Sequence, residues 1–369
     1  MKFDRKLPGR GVEVSCRLEN GKAFLEWEFC LAESENREED WVRDREKDYY
    51  IRLTLTDMQG AVALEGICLL DEEEPLQSIL LQPNLWKGPE EPYLYRLEAV
   101  LADREGNFLD RVNRAFPLRS VGCMDIQGRR RLFLNGSPFG PKVVSYTLPT
   151  VGTAASQQYQ MMEDMGRLLG MGANSVCLEG REETPEVFRQ LCDRLGLLLF
   201  YRKKREDGWM WMKDREGEFR IQYEEDIPLL RGGRDSLFPN ESRIPTSLYY
   251  HYRAKWSRTP FVYIVPESIK KMENGNFTVR CYSNCDRVAL YSDGSLFEFQ
   301  RGETEFLFQE VPAKTPSLML TAEGDGCSQA FSVHKAFLAK SCSFGCTRAK
   351  PGYSARYADS WEKSIEKSP

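Results

Sequence analysis

Between residues 142 and 201 the chain reads strand, helix, strand, helix, strand, and this order leaves few folds open. Residues 142–146 and 174–178 are short apolar runs, and 197–201 is a third. Between the first two, Met161, Met162, Met165, Leu168 and Leu169 recur at helical spacing across 156–169, with Gly170 and Gly172 following as stop signals. Residues 185–195 form a second helix, with Thr184 as N-cap, Pro185 at the first helical position and Gly196 as C-cap. Two successive βα crossovers require the three strands to be parallel.

The flanks read differently. From 11 to 120, apolar and polar residues alternate in short runs (Val12, Val14, Cys16, Leu18; then Ile51, Leu53, Leu55). Asn20-Gly21, Asp57 to Gly60 and Asp103 to Asn107 supply turns between the runs. Several short strands at that spacing predict a β-sandwich of immunoglobulin-like type. Residues 33–48 are dense in charge and read as a loop. Residues 131–134 end in the hairpin signal Asn135-Gly136, and 209–223 read as a hairpin around Arg215-Glu216-Gly217. Residues 247–256 are a tyrosine-rich helix or extended stretch, and strand patterns return from 260 to 333. The expected fold class is multidomain β plus α/β. It comprises an immunoglobulin-like β-sandwich over 1–120, an incomplete (β/α) barrel of TIM-barrel type over 121–256, a second β-sandwich over 257–335 and a flexible tail over 336–369.

A net charge of −5 argues against a nucleic-acid protein, which would carry a basic face. No run approaches the roughly 18 apolar residues of a membrane span, and residues 1–11 lack the apolar stretch of a secretory signal, so a cytoplasmic protein is expected. The eleven cysteines form no tight framework. Cys281/Cys285 and Cys342/Cys346, with Cys327 and His334, invite a zinc reading, but Cys281 falls in an apolar strand pattern where core packing explains it. We expect no metal and no cofactor.

Three segments carry a family resemblance. The first is Pro83-Asn84-Leu85-Trp86, Glu91-Pro92-Tyr93-Leu94-Tyr95 and Phe116-Pro117-Leu118-Arg119. The second is Leu134-Asn135-Gly136, the helix ending at Met171, Gly172-Ala173-Asn174-Ser175-Val176 and Leu191-Cys192-Asp193-Arg194-Leu195-Gly196-Leu197-Leu198. The third is Tyr249 to Trp256 followed by Ser283 to Leu290. In this order they resemble glycoside hydrolase family 2, the β-galactosidases and β-glucuronidases, over roughly residues 50–333, with Pro117 standing where the family has glycine. The resemblance implies a sandwich, a (β/α)-barrel and a further sandwich, and descent from a retaining β-glycosidase.

The chain departs from that pattern in the barrel. A (β/α)₈ barrel takes about 250 residues, and about 200 at the least. The interval 121–256 holds 136. Three βα-type strands and one final strand before Tyr249 are expected in it. The absent middle is where the family carries both catalytic glutamates. Positions where the resemblance implies arginine, histidine and tyrosine hold Cys177, Gly180 and Arg181, and those implying an acidic pair hold Tyr201 and Arg202. The position implying a histidine after the first strand is Tyr146.

Retaining hydrolysis needs two carboxyl groups about 5–5.5 Å apart. Asn240-Glu241 mimics the family's Asn-Glu acid/base pair, but lies in a polar turn between Pro239 and Pro245. Glu179 ends the second strand and is the other candidate catalytic residue. Glu224, Glu225 and Asp226 read as a solvated charge run, and Asp235 as a turn residue. Trp209 and Trp211, one residue apart, face one way on a strand. They form either a sugar-stacking platform or, as we favour, a cap on the edge of a shortened barrel core. Asn174, in the second-strand motif, joins them as a candidate substrate-binding residue. The reading is a non-catalytic, family 2-like protein of carbohydrate metabolism, a sugar-binding or scaffold remnant. The alternatives are an active retaining β-glycosidase completed by a second chain, and a deletion product without activity. The partners expected are a β-linked carbohydrate and either a second copy or a complementing glycosidase subunit, with neither nucleic acid nor membrane.

Overall fold

The computed structural model describes residues 2–4, 11–32, 49–70, 76–179, 184–202, 209–214, 217–222, 227–231, 236–239, 244–312 and 317–334. The charged stretch 33–48, Glu241 with its neighbour Asn240, Gly180 and Arg181, the 224–226 charge run, Asp235 and the C-terminal tail fall outside them. The chain divides into two compact units, Met1–Tyr249 and Tyr250–Pro369.

The first unit opens with β1 (Lys2–Phe3), β2 (Val12–Glu19), β3 (Lys22–Phe29), β4 (Leu31–Ala32), β5 (Tyr49–Thr56), β6 (Val62–Leu69), β7 (Leu76–Leu81), β8 (Tyr95–Asp103) and β9 (Phe108–Phe116). The antiparallel sheets β2-β3-β7 and β6-β5-β8-β9 enclose one core. The two-residue period decides which side chains reach it: Ala23, Leu25 and Trp27 from β3, and Tyr49, Ile51, Leu53 and Leu55 from β5. Asn20 and Gly21 join β2 to β3 at φ 50° and 74°, the left-handed pair that a type I′ hairpin requires.

Then come β10 (Val121–Ile126), β11 (Arg129–Leu134), β12 (Ser137–Pro138), β13 (Val143–Tyr146), helix α1 (Ala154–Met171), β14 (Ser175–Glu179), α2 (Glu186–Leu195), β15 (Leu198–Arg202), β16 (Trp209–Asp214), β17 (Gly217–Gln222), β18 (Leu229–Arg231) and β19 (Ser236–Phe238). The sheet order is β17-β16-β15-β14-β13-β18-β19. Strands β13, β14 and β15 are parallel, as the βαβαβ order requires, and β16–β17 is the expected antiparallel hairpin. The sheet is open: its described strands do not close into a barrel. One face packs Val143, Cys177, Leu198, Phe200, Met210, Met212 and Ile221 against Trp86 and against Val121, Leu132 and Leu134 of the β10–β11 hairpin.

Several expectations need correction. Gly170 lies inside α1, which continues to Met171, and only Gly172, at φ 91°, stops it. Pro185, not Thr184, is the N-cap of α2, without a side-chain cap bond. In place of one final strand there are two three-residue strands, β18 and β19, both parallel to the strands they pair with. Residues 247–256 are helix α3 (Ser247–Trp256).

The second unit contains β20 (Val262–Lys271), β21 (Phe277–Ser283), β22 (Arg287–Ser292), β23 (Ser295–Arg301), β24 (Glu305–Val311), β25 (Ser317–Gly324) and β26 (Cys327–His334). Antiparallel sheets β20-β21-β24 and β23-β22-β25-β26 share a core that includes Ile264, Phe277, Cys281, Val288, Leu290, Phe306 and Leu320. Strand β23 was not anticipated, because its exposed Ser-Leu-Phe-Glu-Phe-Gln-Arg has no buried stripe.

Two contacts organise the first unit. Trp86 is fully buried, and its indole N–H donates to the Asp193 carbonyl of α2 at 2.7 Å. Arg119 lies over its ring at 4.3 Å and pairs with the Asp193 carboxylate at 3.0 Å. Asn135 donates from Nδ2 to the Trp86 carbonyl at 2.9 Å and accepts from the Ser120 N–H at 3.0 Å. Gly196 completes the contact: a Cβ there would lie 2.4 Å from the Gly88 backbone. The second contact surrounds Asp164 of α1, which has no solvent exposure. Its Oδ1 accepts from Arg231 Nη2 and Nε at 2.7 and 3.1 Å and from Arg167 at 3.3 Å, while Oδ2 accepts from the Tyr146 hydroxyl at 3.3 Å.

Two stability predictions follow from these contacts. Gly196→Ala combines a left-handed backbone with a backbone clash and should cost about 3 kcal/mol or more, whereas Gly136→Ala, with open space around it, should cost about 1 kcal/mol. Urea titrations followed by tryptophan fluorescence compare them, and equal losses would refute the close-approach argument. Asp164→Asn removes the buried carboxylate that Arg231 and Arg167 share, although Arg167 keeps Glu163 at 2.7 Å, and should cost about 3 kcal/mol, while the double variant Asp164→Leu/Arg231→Met should lose less than the single one. The same titration reads this order, and a double variant weaker than the single one would contradict it.

Candidate functional site

Barrel-type sites are built where parallel strands end, on the sheet face turned away from the helices. Tyr146 shows which face is which: its ring stacks on Phe188 of α2 at 5.4 Å, so the even-numbered β13 residues face the helices. Ser145 therefore faces the other way, with its register partner Cys177, then Glu179, Phe200 and Arg202.

On that face Ser145, Glu179 and Arg202 meet from three adjacent strands. The Ser145 hydroxyl donates to Glu179 Oε1 at 2.6 Å, and Arg202 Nη1 lies 3.4 Å from the same oxygen. Ser145 is buried, while the Glu179 and Arg202 side chains remain about a third exposed. Arg202 Nε is buried without a hydrogen-bond partner among the described residues. Beneath them, burial pushes the Cys177 thiol up to about 12; the Glu179 charge adds to the rise and Arg202 opposes it. Cys177 is thus a thiol at neutral pH and no nucleophile. Across the sheet, burial and the neighbouring Asp164 raise the Tyr146 hydroxyl far above its ordinary range, so it stays protonated.

Of the candidate catalytic and binding residues read from the sequence, Glu179 is the one that stands at this mouth among the described residues. Asn174 lies at the opposite end of β14. Its Oδ1 accepts from the Lys142 N–H at 2.6 Å and the Ser175 hydroxyl at 2.9 Å, and its Nδ2 donates to the Gly140 carbonyl at 3.0 Å. Asn174 therefore sets the strand starts and does not bind at the mouth. Trp211 is the register partner of Tyr201, on the face opposite Glu179, and Arg220 covers its ring at 5.6 Å. The core-facing residues of β16 are Met210 and Met212, so Trp211 neither caps the barrel-side core nor lines the mouth. Trp209 pairs with Gln222 in the β16–β17 register. Glu241 falls outside the described residues.

The sequence reading missed Ser145 and saw Arg202 only as a departure from the resemblance. The available signal was the period of two, which puts Ser145, Cys177 and Glu179 on one face once the parallel register is known. Among the described residues no three His, Cys, Asp or Glu side chains assemble into a metal-holding group. Cys281 lies in the second unit's core, and Cys285 and Cys327 approach each other at 3.7 Å. No helix among the described residues is long and apolar enough to cross a membrane.

Comparison with known proteins agrees with this architecture. The family model for Glycosyl hydrolases family 2 matches residues 33–119. A protein of Formosa agariphila named as a β-glucuronidase is 29% identical over 157 residues, 41% of this chain and 18% of that protein. A β-galactosidase from Halalkalibacterium halodurans is 26% identical over 178 residues, 46% of this chain and 16% of that enzyme. The match thus spans less than a fifth of either curated relative. The crystal structure of an FMN-binding β-glucuronidase from Facaelibacterium prausnitzii superposes with a TM-score of 0.67 at 13% identity, covering 90% of this chain and 75% of that one. At that identity the likeness establishes the fold. Taken together, the family match over residues 33–119, the two curated relatives and the shared fold support a glycosyl hydrolase family 2 assignment.

Proposed function

We propose that this chain is a family 2 protein of carbohydrate metabolism that does not hydrolyse glycosides on its own and serves as a sugar-binding or scaffold member of its family. The observation that carries this reading is the state of Glu179. It is the one carboxylate among the described residues on the barrel-side face at the strand ends, and Ser145 and Arg202 both engage its Oε1. Protonating a leaving group and attacking an anomeric carbon takes two carboxyl groups about 5–5.5 Å apart. Ser145 and Arg202 occupy the Glu179 carboxylate, and no second carboxyl stands beside it among the described residues to complete the pair.

The same mouth offers hydrogen-bonding groups suited to sugar hydroxyls: the Ser145 hydroxyl, the Glu179 carboxylate and the N–H groups of Arg202. A β-linked carbohydrate held there would be bound without being cleaved. The complementation reading draws on a different feature, the edge of the sheet at β19, a three-residue strand that a companion chain could extend.

The deciding experiment is hydrolysis of chromogenic β-galactoside, β-glucuronide, β-mannoside and β-glucoside by the purified chain, beside Glu179→Gln and Glu241→Gln. We expect no turnover above buffer for any of the three proteins. Turnover that disappears in either variant would overturn the proposal and name the acid. Turnover seen only when a companion chain is added would replace it with the complementation reading.

A further inference from the structure

A second cleft lies away from the strand ends, lined by none of the mouth residues and independent of the function proposed above. It has a volume of about 390 Å³ and is bounded by Asp57, Arg96, Asn113, Arg114, Gln190 and Arg194 among others. That size is at the lower end of the range for small-molecule sites. Strands β8 and β9 supply Arg96, Asn113 and Arg114, while α2 supplies Gln190 and Arg194, one helical turn apart on the same side.

The charges in this lining do not cancel. Three guanidinium groups face one carboxylate, and that carboxylate is turned to its own loop: Asp57 Oδ1 accepts the Gln59 and Ala61 N–H groups at 2.9 and 2.8 Å. Arg114 donates from Nη2 to the Val12 carbonyl at 2.8 Å, but its buried Nε has no acceptor among the described residues. Burial lowers the Arg114 guanidinium below its ordinary value, and the charges of Glu186 and Asp193 offset this only in part. Arg96 uses Nε on the Asn113 side-chain oxygen at 3.2 Å, which orients its terminal nitrogens without occupying them. Arg194 has no ion-pair partner among the described residues, although it lies on the same helix as Glu186 and Asp193. A buried donor without an acceptor is costly, and converging guanidinium groups match the planar, multi-oxygen geometry of oxyanions.

We propose that this cleft is a binding site for a small oxyanion, a phosphate monoester or a carboxylate, held by Arg96, Arg114 and Arg194. The anion neutralises the excess positive charge of the lining. Gln190 and Asn113 add neutral donors at the rim and leave room for an uncharged remainder of the ligand.

Isothermal titration calorimetry on the full chain at low ionic strength tests this, with inorganic phosphate in one arm and succinate in the other. We expect saturable one-site binding of at least one anion. Arg96→Gln and Arg194→Gln should each weaken it about tenfold, the effect of removing one charge-assisted contact. Arg301→Gln, an exposed change in the second unit, should leave it unaltered. Preference for phosphate would identify a phosphoryl ligand, and preference for succinate a carboxylate; either supports the site. Arg114→Gln should abolish binding, and because Arg114 also ties down Val12, its thermal midpoint is measured alongside. The two exposed arginines keep the test decisive if that variant unfolds. Absence of saturable binding in both arms, or full binding by the Arg96→Gln/Arg194→Gln double variant, would overturn the proposal.

Discussion

The first unit depends on one buried indole. Trp86 sits in the segment between β7 and β8, where the chain passes from one sheet to the other, and the N–H of its indole must find an acceptor or be desolvated at a cost. The acceptor is the Asp193 carbonyl near the end of α2, at 2.7 Å. This bond fixes where α2 ends relative to the sandwich. Arg119 then lies over the same ring and pairs with the Asp193 carboxylate, so one residue of α2 is held through its backbone and through its side chain. Gly196 allows the chain to leave α2 against Gly88 with no Cβ between them. Asn135 closes the set by binding the Trp86 carbonyl and the Ser120 N–H, so the β11–β12 turn is anchored to the same point.

The segments that carry the family resemblance therefore converge on architecture. Pro83 to Trp86, Phe116 to Arg119, Leu134 to Gly136 and Cys192 to Leu198 lie far apart in the chain, yet Trp86, Arg119, Asn135, Asp193 and Gly196 form one contact. None of these residues stands at the C-terminal ends of the parallel strands β13, β14 and β15. A sequence can thus resemble a glycosidase strongly in its frame while saying nothing about its chemistry. The mouth must be judged from its own side chains, where each charge is already matched: Glu179 by Arg202, and Asp164, on the other face, by Arg231 and Arg167.

Much of this frame was legible in the sequence because its determinants are local. Helical spacing of methionines and leucines gave α1, Gly172 and Gly196 marked helix ends, and Asn-Gly pairs marked hairpins whose residues hold positive φ. The misses share a physical cause. Strands β18 and β19, Leu229–Arg231 and Ser236–Phe238, are too short to show a period, and β23 has no buried face to write one. Pro185 could serve as either first helical residue or cap, a choice that the local sequence leaves open. At the site, Glu179 was visible as a strand-end carboxylate. Its partners are 34 residues before it and 23 after it, and only the parallel register brings Ser145, Glu179 and Arg202 side by side.

That register also decides what the tryptophans and Asn174 do. A two-residue spacing says that Trp209 and Trp211 share a face but not which one, and the antiparallel pairing of Tyr201 with Trp211 assigns Trp211 to the helix side. Asn174 falls at the strand start, because in a βαβ unit the chain always returns to the same end before the next strand begins. The distinction matters for function: residues before a parallel strand hold the sheet together, whereas those after it meet the ligand. On this ground the sugar contact proposed above falls to Glu179, with Ser145 and Arg202, at the strand ends of the open sheet, and not to Asn174 or Trp211.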